Sequence, residues 1–164
     1  MSFQVRQSPS KVELIAAVQN SNHLQIESQV VDHLVRNFEV TGLKQGDPII
    51  IISAIGEPSA GKTGILNGLL NRLGPHPTTA AGLVDFPVPK NFQEQGHKFD
   101  GILAGPPLVI QWQKDGARLG VLMLDIWNNS RMSEDVYIKL VEFSFQVSSL
   151  QIYSLSNPLR PVSA

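Results

Sequence analysis

An apolar run, Ile49-Ile50-Ile51-Ile52-Ser53-Ala54-Ile55, leads directly into Gly56-Glu57-Pro58-Ser59-Ala60-Gly61-Lys62-Thr63. The eight residues fit the Walker A pattern G-x-x-x-x-G-K-[ST], and what flanks them is what that pattern requires. The run carries no polar alternation, as expected of a strand buried on both faces of a parallel sheet. Downstream, Ile65, Leu66, Leu69, Leu70 and Leu73 recur at helical spacing and form one inward stripe. Strand, glycine loop and helix together turn backbone N–H groups and a helix N-terminus toward a phosphate chain. The sequence therefore predicts that Gly56, Glu57, Pro58, Ser59, Ala60, Gly61, Lys62 and Thr63 line a nucleotide. The Lys62 ammonium would reach the β- and γ-phosphates and supply charge in any transition state, and the Thr63 hydroxyl would ligate Mg²⁺. The competing reading is an ordinary glycine-rich turn.

With 164 residues the chain is long enough for one domain with a real core and short for two. Hydrophobic residues make up 42% and charged residues 16%, a globular rather than a disordered balance. A formal net charge of -1 gives no electrostatic case for nucleic acid. The absence of cysteine excludes disulfides, thiolate metal sites and thiol catalysis. No stretch approaches the ~18 consecutive apolar residues needed to span a bilayer. Met1–Ser8 lacks the apolar core of a secretory signal, so a cytoplasmic chain without direct membrane insertion is expected. Recruitment to a membrane surface by a partner stays open.

Residues 1–10 read as a polar lead-in and residues 11–164 as one domain. Val12–Val18 reads as a strand and Asn20-Ser21-Asn22 as a turn. From Glu27, Val30, Val31, Leu34, Val35 and Phe38 fall on one helical face, with Ser28 as N-cap. Gly42 and Gln45-Gly46-Asp47-Pro48 end that helix. Gly64 and Gly68 inside the next helix each cost about 1 kcal/mol against Ala, and Gly74-Pro75 closes it. Residues 75–100, rich in Pro, Gly and polar groups, read as a long loop, which in a compact domain is usually functional or mobile. Leu108–Gln113 and Leu119–Leu124, joined through Lys114-Asp115-Gly116, read as a hairpin. A helix over Met132–Phe145 and a strand over Leu150–Ser154 complete the reading. The fold class expected is α/β, a mixed but mostly parallel sheet flanked by helices, with ligand at the C-terminal ends of the strands.

A phosphate loop needs a carboxylate at the end of a neighbouring strand to hold Mg²⁺, and Leu122-Met123-Leu124-Asp125 supplies one. The bland reading of Asp125 is a cap on the turn that follows. His23, His33, His76 and His97 show no ligand spacing and read as surface or core histidines. Trp112 and Trp127 read as core or edge aromatics, Trp127 lying close to the active face. No Ser-His-Asp arrangement or paired carboxylates can be argued. Asp85 and Asp100, in the long loop, would repel phosphates unless a metal intervenes.

Several blocks together resemble the N-terminal part of the large G domain of the atlastin and guanylate-binding-protein family, within the dynamin-like GTPases. They are Val12-Glu13-Leu14-Ile15 with Leu24-Gln25-Ile26 and the following helix, the strand into Gly56–Thr63 with Ile65-Leu66-Asn67, and Gly101-Ile102. The Lys114-Asp115-Gly116 turn, Val121–Asp125 and Ser148-Ser149-Leu150-Gln151-Ile152-Tyr153-Ser154-Leu155-Ser156 extend the likeness over most of residues 10–160. The resemblance implies an incomplete P-loop G domain that binds GTP and GDP with Mg²⁺ through Thr63 and Asp125. It also implies dimerisation through the nucleotide face, with a second copy or a related G domain, and leaves open recruitment by a partner to the cytosolic face of the endoplasmic reticulum. The chain ends before the family's guanine-reading Arg-Asp motif.

Three departures from the family fall on its chemistry. Ser59 stands where fast members carry a loop arginine, Asp100 where a switch threonine precedes Gly-Ile, and Asn128 where a glycine contacts the γ-phosphate. A cationic finger of that kind is worth roughly 10³–10⁵ in rate, so hydrolysis is expected to be weak or absent. The alternative is a non-enzymatic module that keeps the fold and pairs with a related G domain. An ATP-using P-loop kinase would need acceptor-binding and lid arginines, which are not identifiable.

Overall fold

A computed structural model of the chain describes residues 2–19, 23–57, 60–74, 101–127 and 133–155. The strands are β1 (Phe3–Gln7), β2 (Glu13–Gln19), β3 (His23–Ile26), β4 (Ile49–Gly56), β5 (Gly101–Ala104), β6 (Leu108–Trp112), β7 (Arg118–Trp127) and β8 (Leu150–Ser154). The helices are α1 (Ser28–Thr41), α2 (Lys62–Leu73) and α3 (Glu134–Val147). All eight strands share one sheet.

The long strand β7 is its spine. Along one edge β4 runs parallel to it, from Ile49 opposite Gly120 to Ala54 opposite Asp125. Along the other edge β6 takes the first half and β5 the second, both antiparallel. Strands β5 and β6 are thus collinear, interrupted at Gly105-Pro106-Pro107, where the two prolines have no N–H to give a ladder. The outer neighbours repeat this division, β1 pairing with β6 and β2 with β5, again antiparallel. Strand β3 adds to β2, and β8 lies parallel on the far side of β4.

This corrects the expectation of a mostly parallel sheet. Five pairings are antiparallel and two parallel. Parallel neighbours need a long crossover, whereas short turns return the chain antiparallel. Only a few residues separate β2 from β3 and β6 from β7, so parallel order is confined to β4 with its two neighbours, α3 lying between β7 and β8. The architecture is not that of a P-loop G domain, complete or partial.

Both faces of the sheet are covered. Leu34 and Phe38 of α1 and Leu140 of α3 pack with Ile15, Ile55, Ile102, Leu122, Leu124 and Ile126 on one face. Leu66 and Leu70 of α2 pack with Ile52, Ala54, Leu103, Leu108, Val121 and Met123 on the other. Successive residues of β4 and β7 therefore serve opposite faces, which is why neither strand alternates with polar residues. Glu27 rather than Ser28 sits at the N-cap of α1, and Gly42 ends it in the left-handed conformation (φ 111°). Phe3–Gln7, within the lead-in, forms β1. The turn at Asn20–Asn22 and the loop over 75–100 lie outside the described residues. Among the described residues no helix is long and apolar enough to cross a membrane.

Candidate functional site

Strand β4 ends at Gly56, whose φ of 141° suits glycine. A Cβ there would lie 2.0 Å from the Ser154 carbonyl oxygen of β8, so the close approach of the two strands also requires glycine. Beyond it Glu57 N–H donates to Ser154 O at 3.3 Å, and Ser154 Oγ donates to Ala60 O. Strand β8 thus fastens the loop at both ends. Gly61, at φ 79°, forms the N-cap of α2. That helix begins with neither a side-chain cap nor an acidic residue in its first turn. Those are the groups that would otherwise satisfy its amides or offset its positive end.

The first two residues of α2 carry the chemistry. Lys62 is only 7% exposed, and its ammonium donates to Gly56 O at 3.1 Å and Glu57 O at 2.6 Å. Burial pushes its pKa below the ordinary lysine value, against the opposing charges of Asp125 and Glu57. Thr63 Oγ1 donates to Asp125 Oδ2 at 2.6 Å, and Trp127 Nε1 donates to the same oxygen at 3.0 Å. Asp125 is 0% exposed, and its other oxygen, Oδ1, is buried with no hydrogen-bond partner among the described residues. Burial raises its pKa above the ordinary aspartate value, opposed by the bonds from Thr63 and Trp127 and by the Lys62 charge.

An unpartnered buried carboxylate oxygen beside a hydroxyl is a hard-oxygen donor set of the kind Mg²⁺ prefers. Among the described residues no group of three or more His, Cys, Asp or Glu side chains could cage a metal. Mg²⁺ does not need such a cage, since it commonly takes one or two protein ligands and completes its octahedron with phosphate oxygens and water. The residues present fit the ion, which Thr63 and Asp125 would hold.

The structure brings Gly56, Glu57, Ala60, Gly61, Lys62, Thr63 and Asp125 together, while Pro58 and Ser59 lie outside the described residues. Asp125 does not end its strand, which continues to Trp127. Trp127, read as a core or edge aromatic, is a donor to Asp125. The signal was available, because residues i and i+2 of a strand share a face. Ser154 was missed, and no sequence signal marks it, since its role depends on strand register. Tyr137 and Tyr153, whose hydroxyls lie 3.5 Å apart, were missed as a pair. His33 pairs with Glu13 Oε1 at 2.7 Å on the surface of α1. His76, Asp85, His97, Asp100 and Asn128 lie outside the described residues.

No family model matches the chain, and no curated protein matches it. Together with the antiparallel majority of the sheet, this overturns the resemblance to the atlastin and guanylate-binding-protein family. Its blocks were short apolar strands and turns, which many mixed sheets supply. Guanine selection and pairing with a related G domain, which the resemblance alone implied, lose that support.

Proposed function

We propose that Gly56–Thr63 and Asp125 bind the polyphosphate of a nucleoside triphosphate together with Mg²⁺, and that turnover is slow. One observation carries this reading. Asp125 is wholly buried with Oδ1 unpartnered, and Thr63 at the uncapped start of α2 lies 2.6 Å from its other oxygen. A buried carboxylate oxygen left without a donor, as Oδ1 is among the described residues, is unfavourable unless something cationic shares the site. Thr63 can keep donating to Asp125 while a lone pair of its hydroxyl faces a metal. Mg²⁺, when bound, neutralises charge on the β- and γ-oxygens. The amide-rich start of α2 and the Lys62 ammonium bind the phosphates and fix their position. Slow turnover is supported by the loop's own composition, in which Lys62 is the one cation and Glu57 the one carboxylate. That leaves little net positive charge for a transferring phosphoryl group.

Titration with fluorescent GTP and with fluorescent ATP, each in Mg²⁺ and in EDTA, tests the proposal. Saturable, Mg²⁺-dependent binding is expected, weakened at least about tenfold in Lys62→Ala, as for loss of a charge-assisted phosphate contact. Absence of binding by the parent chain defeats the proposal. Phosphate release at high protein concentration is expected to stay close to the Lys62→Ala rate, and brisk release would remove the claim of slow turnover.

A further inference from the structure

Strand β8 grips two peptide groups of the loop, and a planar trans peptide carries its C=O and N–H in opposite directions. In the peptide joining Gly56 to Glu57, the Glu57 N–H turns to Ser154 O at 3.3 Å. Gly56 O consequently faces away from β8, where it accepts from the Lys62 ammonium at 3.1 Å. In the peptide joining Ala60 to Gly61 it is the carbonyl that β8 holds, through the Ser154 hydroxyl. The Gly61 N–H is thereby turned away from β8. Gly61 is the N-cap of α2, and the first bond of that helix runs from Ile65 N–H to Gly61 O at 3.0 Å. Its own N–H is therefore among the amides that no intrahelical carbonyl satisfies, the kind that bind anions.

Ser154 is built to hold that peptide still. Its side chain is 7% exposed and shares a face of β8 with Ile152, which packs into the α2 core. Strand β8 is pinned along its length by parallel pairing with β4, from Leu150 opposite Ile52 to Ser154 opposite Gly56. Ser149 N–H adds a bond to Ile51 O at 2.8 Å, and the Gln151 amide donates to Ser144 Oγ of α3 at 2.7 Å.

On the phosphate-site reading above, we infer that Ser154 is a positioning residue for that site. Its hydroxyl holds the Ala60 carbonyl back so that the Gly61 N–H faces the bound phosphate. Ser154 itself touches no ligand. An amide fixed in advance loses little freedom when the anion arrives. Without the hydroxyl the same peptide is free to turn, and its carbonyl oxygen would then face the phosphate where a donor is needed.

Binding of inorganic tripolyphosphate and of fluorescent GTP, both with Mg²⁺, to the full chain and its variants tests this. Ser154→Ala is expected to weaken both ligands about tenfold and equally, as for loss of one hydrogen bond to a charged group. Ser154→Cys keeps the position filled but offers only a weak donor, and is expected to weaken both as well. Ser144→Ala removes a buried hydroxyl that bonds to Ser53 and Gln151, and is expected to leave both affinities unchanged. In amide NMR spectra, tripolyphosphate is expected to move the Gly61 proton of the parent downfield and that of Ser154→Ala less. Parent-like affinity in both Ser154 variants would overturn the inference while leaving the phosphate site standing. So would an undiminished Gly61 response in Ser154→Ala, or an equal loss in Ser144→Ala, which would mark general loosening. A parent chain that binds neither ligand would remove the site and the inference with it.

Discussion

The two oxygens of Asp125 live in different worlds: Oδ2 accepts from Thr63 and Trp127, and Oδ1 accepts from no group among the described residues. Burial raises the pKa of this group from its ordinary 3.8. For an acid whose folded-state pKa is raised, the associated stability is complete below the unfolded value and is lost as pH climbs through the folded one. In EDTA the parent protein should lose thermal stability over that window, starting near pH 4. Asp125→Asn, which cannot ionise, should melt higher than the parent at neutral pH and show a flatter profile. The same variant should lose Mg²⁺-dependent nucleotide binding. Parallel melting profiles would show that ionisation of Asp125 is not what strains the metal-free protein. The sequence made Asp125 visible because it closes an apolar tetrad, but not its depth. That depends on β7 running on to Trp127 between two neighbours, with Ala54 on one side and Leu103 on the other.

Among elements, the loop between β4 and α2 shows how one motif can hold glycines with different duties. Gly56 and Gly61 look equivalent in the Walker A pattern, yet a Cβ on Gly56 would collide with the β8 backbone, and one on Gly61 would meet nothing within 4 Å. Gly61→Ala should cost only the left-handed penalty, about 1–2 kcal/mol. Gly56→Ala should cost more, about 2–4 kcal/mol, because a backbone carbonyl has to move. Urea unfolding of both variants checks the order, and equal losses would contradict the strand contact at Gly56. The helices and β4 were legible because their apolar residues follow a period or an unbroken run. Strand β1 was not, since Phe3-Gln4-Val5-Arg6-Gln7 is largely exposed and owes its order to main-chain pairing with β6.

Across the whole molecule, the sheet divides the interior into two cores that share no side chains. Ile52 belongs to the α2 core, and Ile126 to the α1 and α3 core. Ile52→Val and Ile126→Val should each cost about 0.5–1.5 kcal/mol. In combination they should add to within about 0.5 kcal/mol, as independent sites do. Ile102→Val with Ile126→Val should fail to add, because those residues face each other across β5 and β7 in one core. Urea denaturation of the single and double variants decides both cases. Strand direction was the part of the architecture that the residues did not reveal. Leu122-Met123-Leu124 is buried on both sides in this mixed sheet, and a parallel sheet would have asked for the same residues.

Pairing of β1 with β6 also orders events in time. Phe3–Gln7 is translated well before its partner Leu108–Trp112. At about 5–20 residues per second, the wait is on the order of 5–20 s. Strand β1 thus leaves the ribosome well before the only strand that holds it in the described sheet, and docks only once β6 has been made.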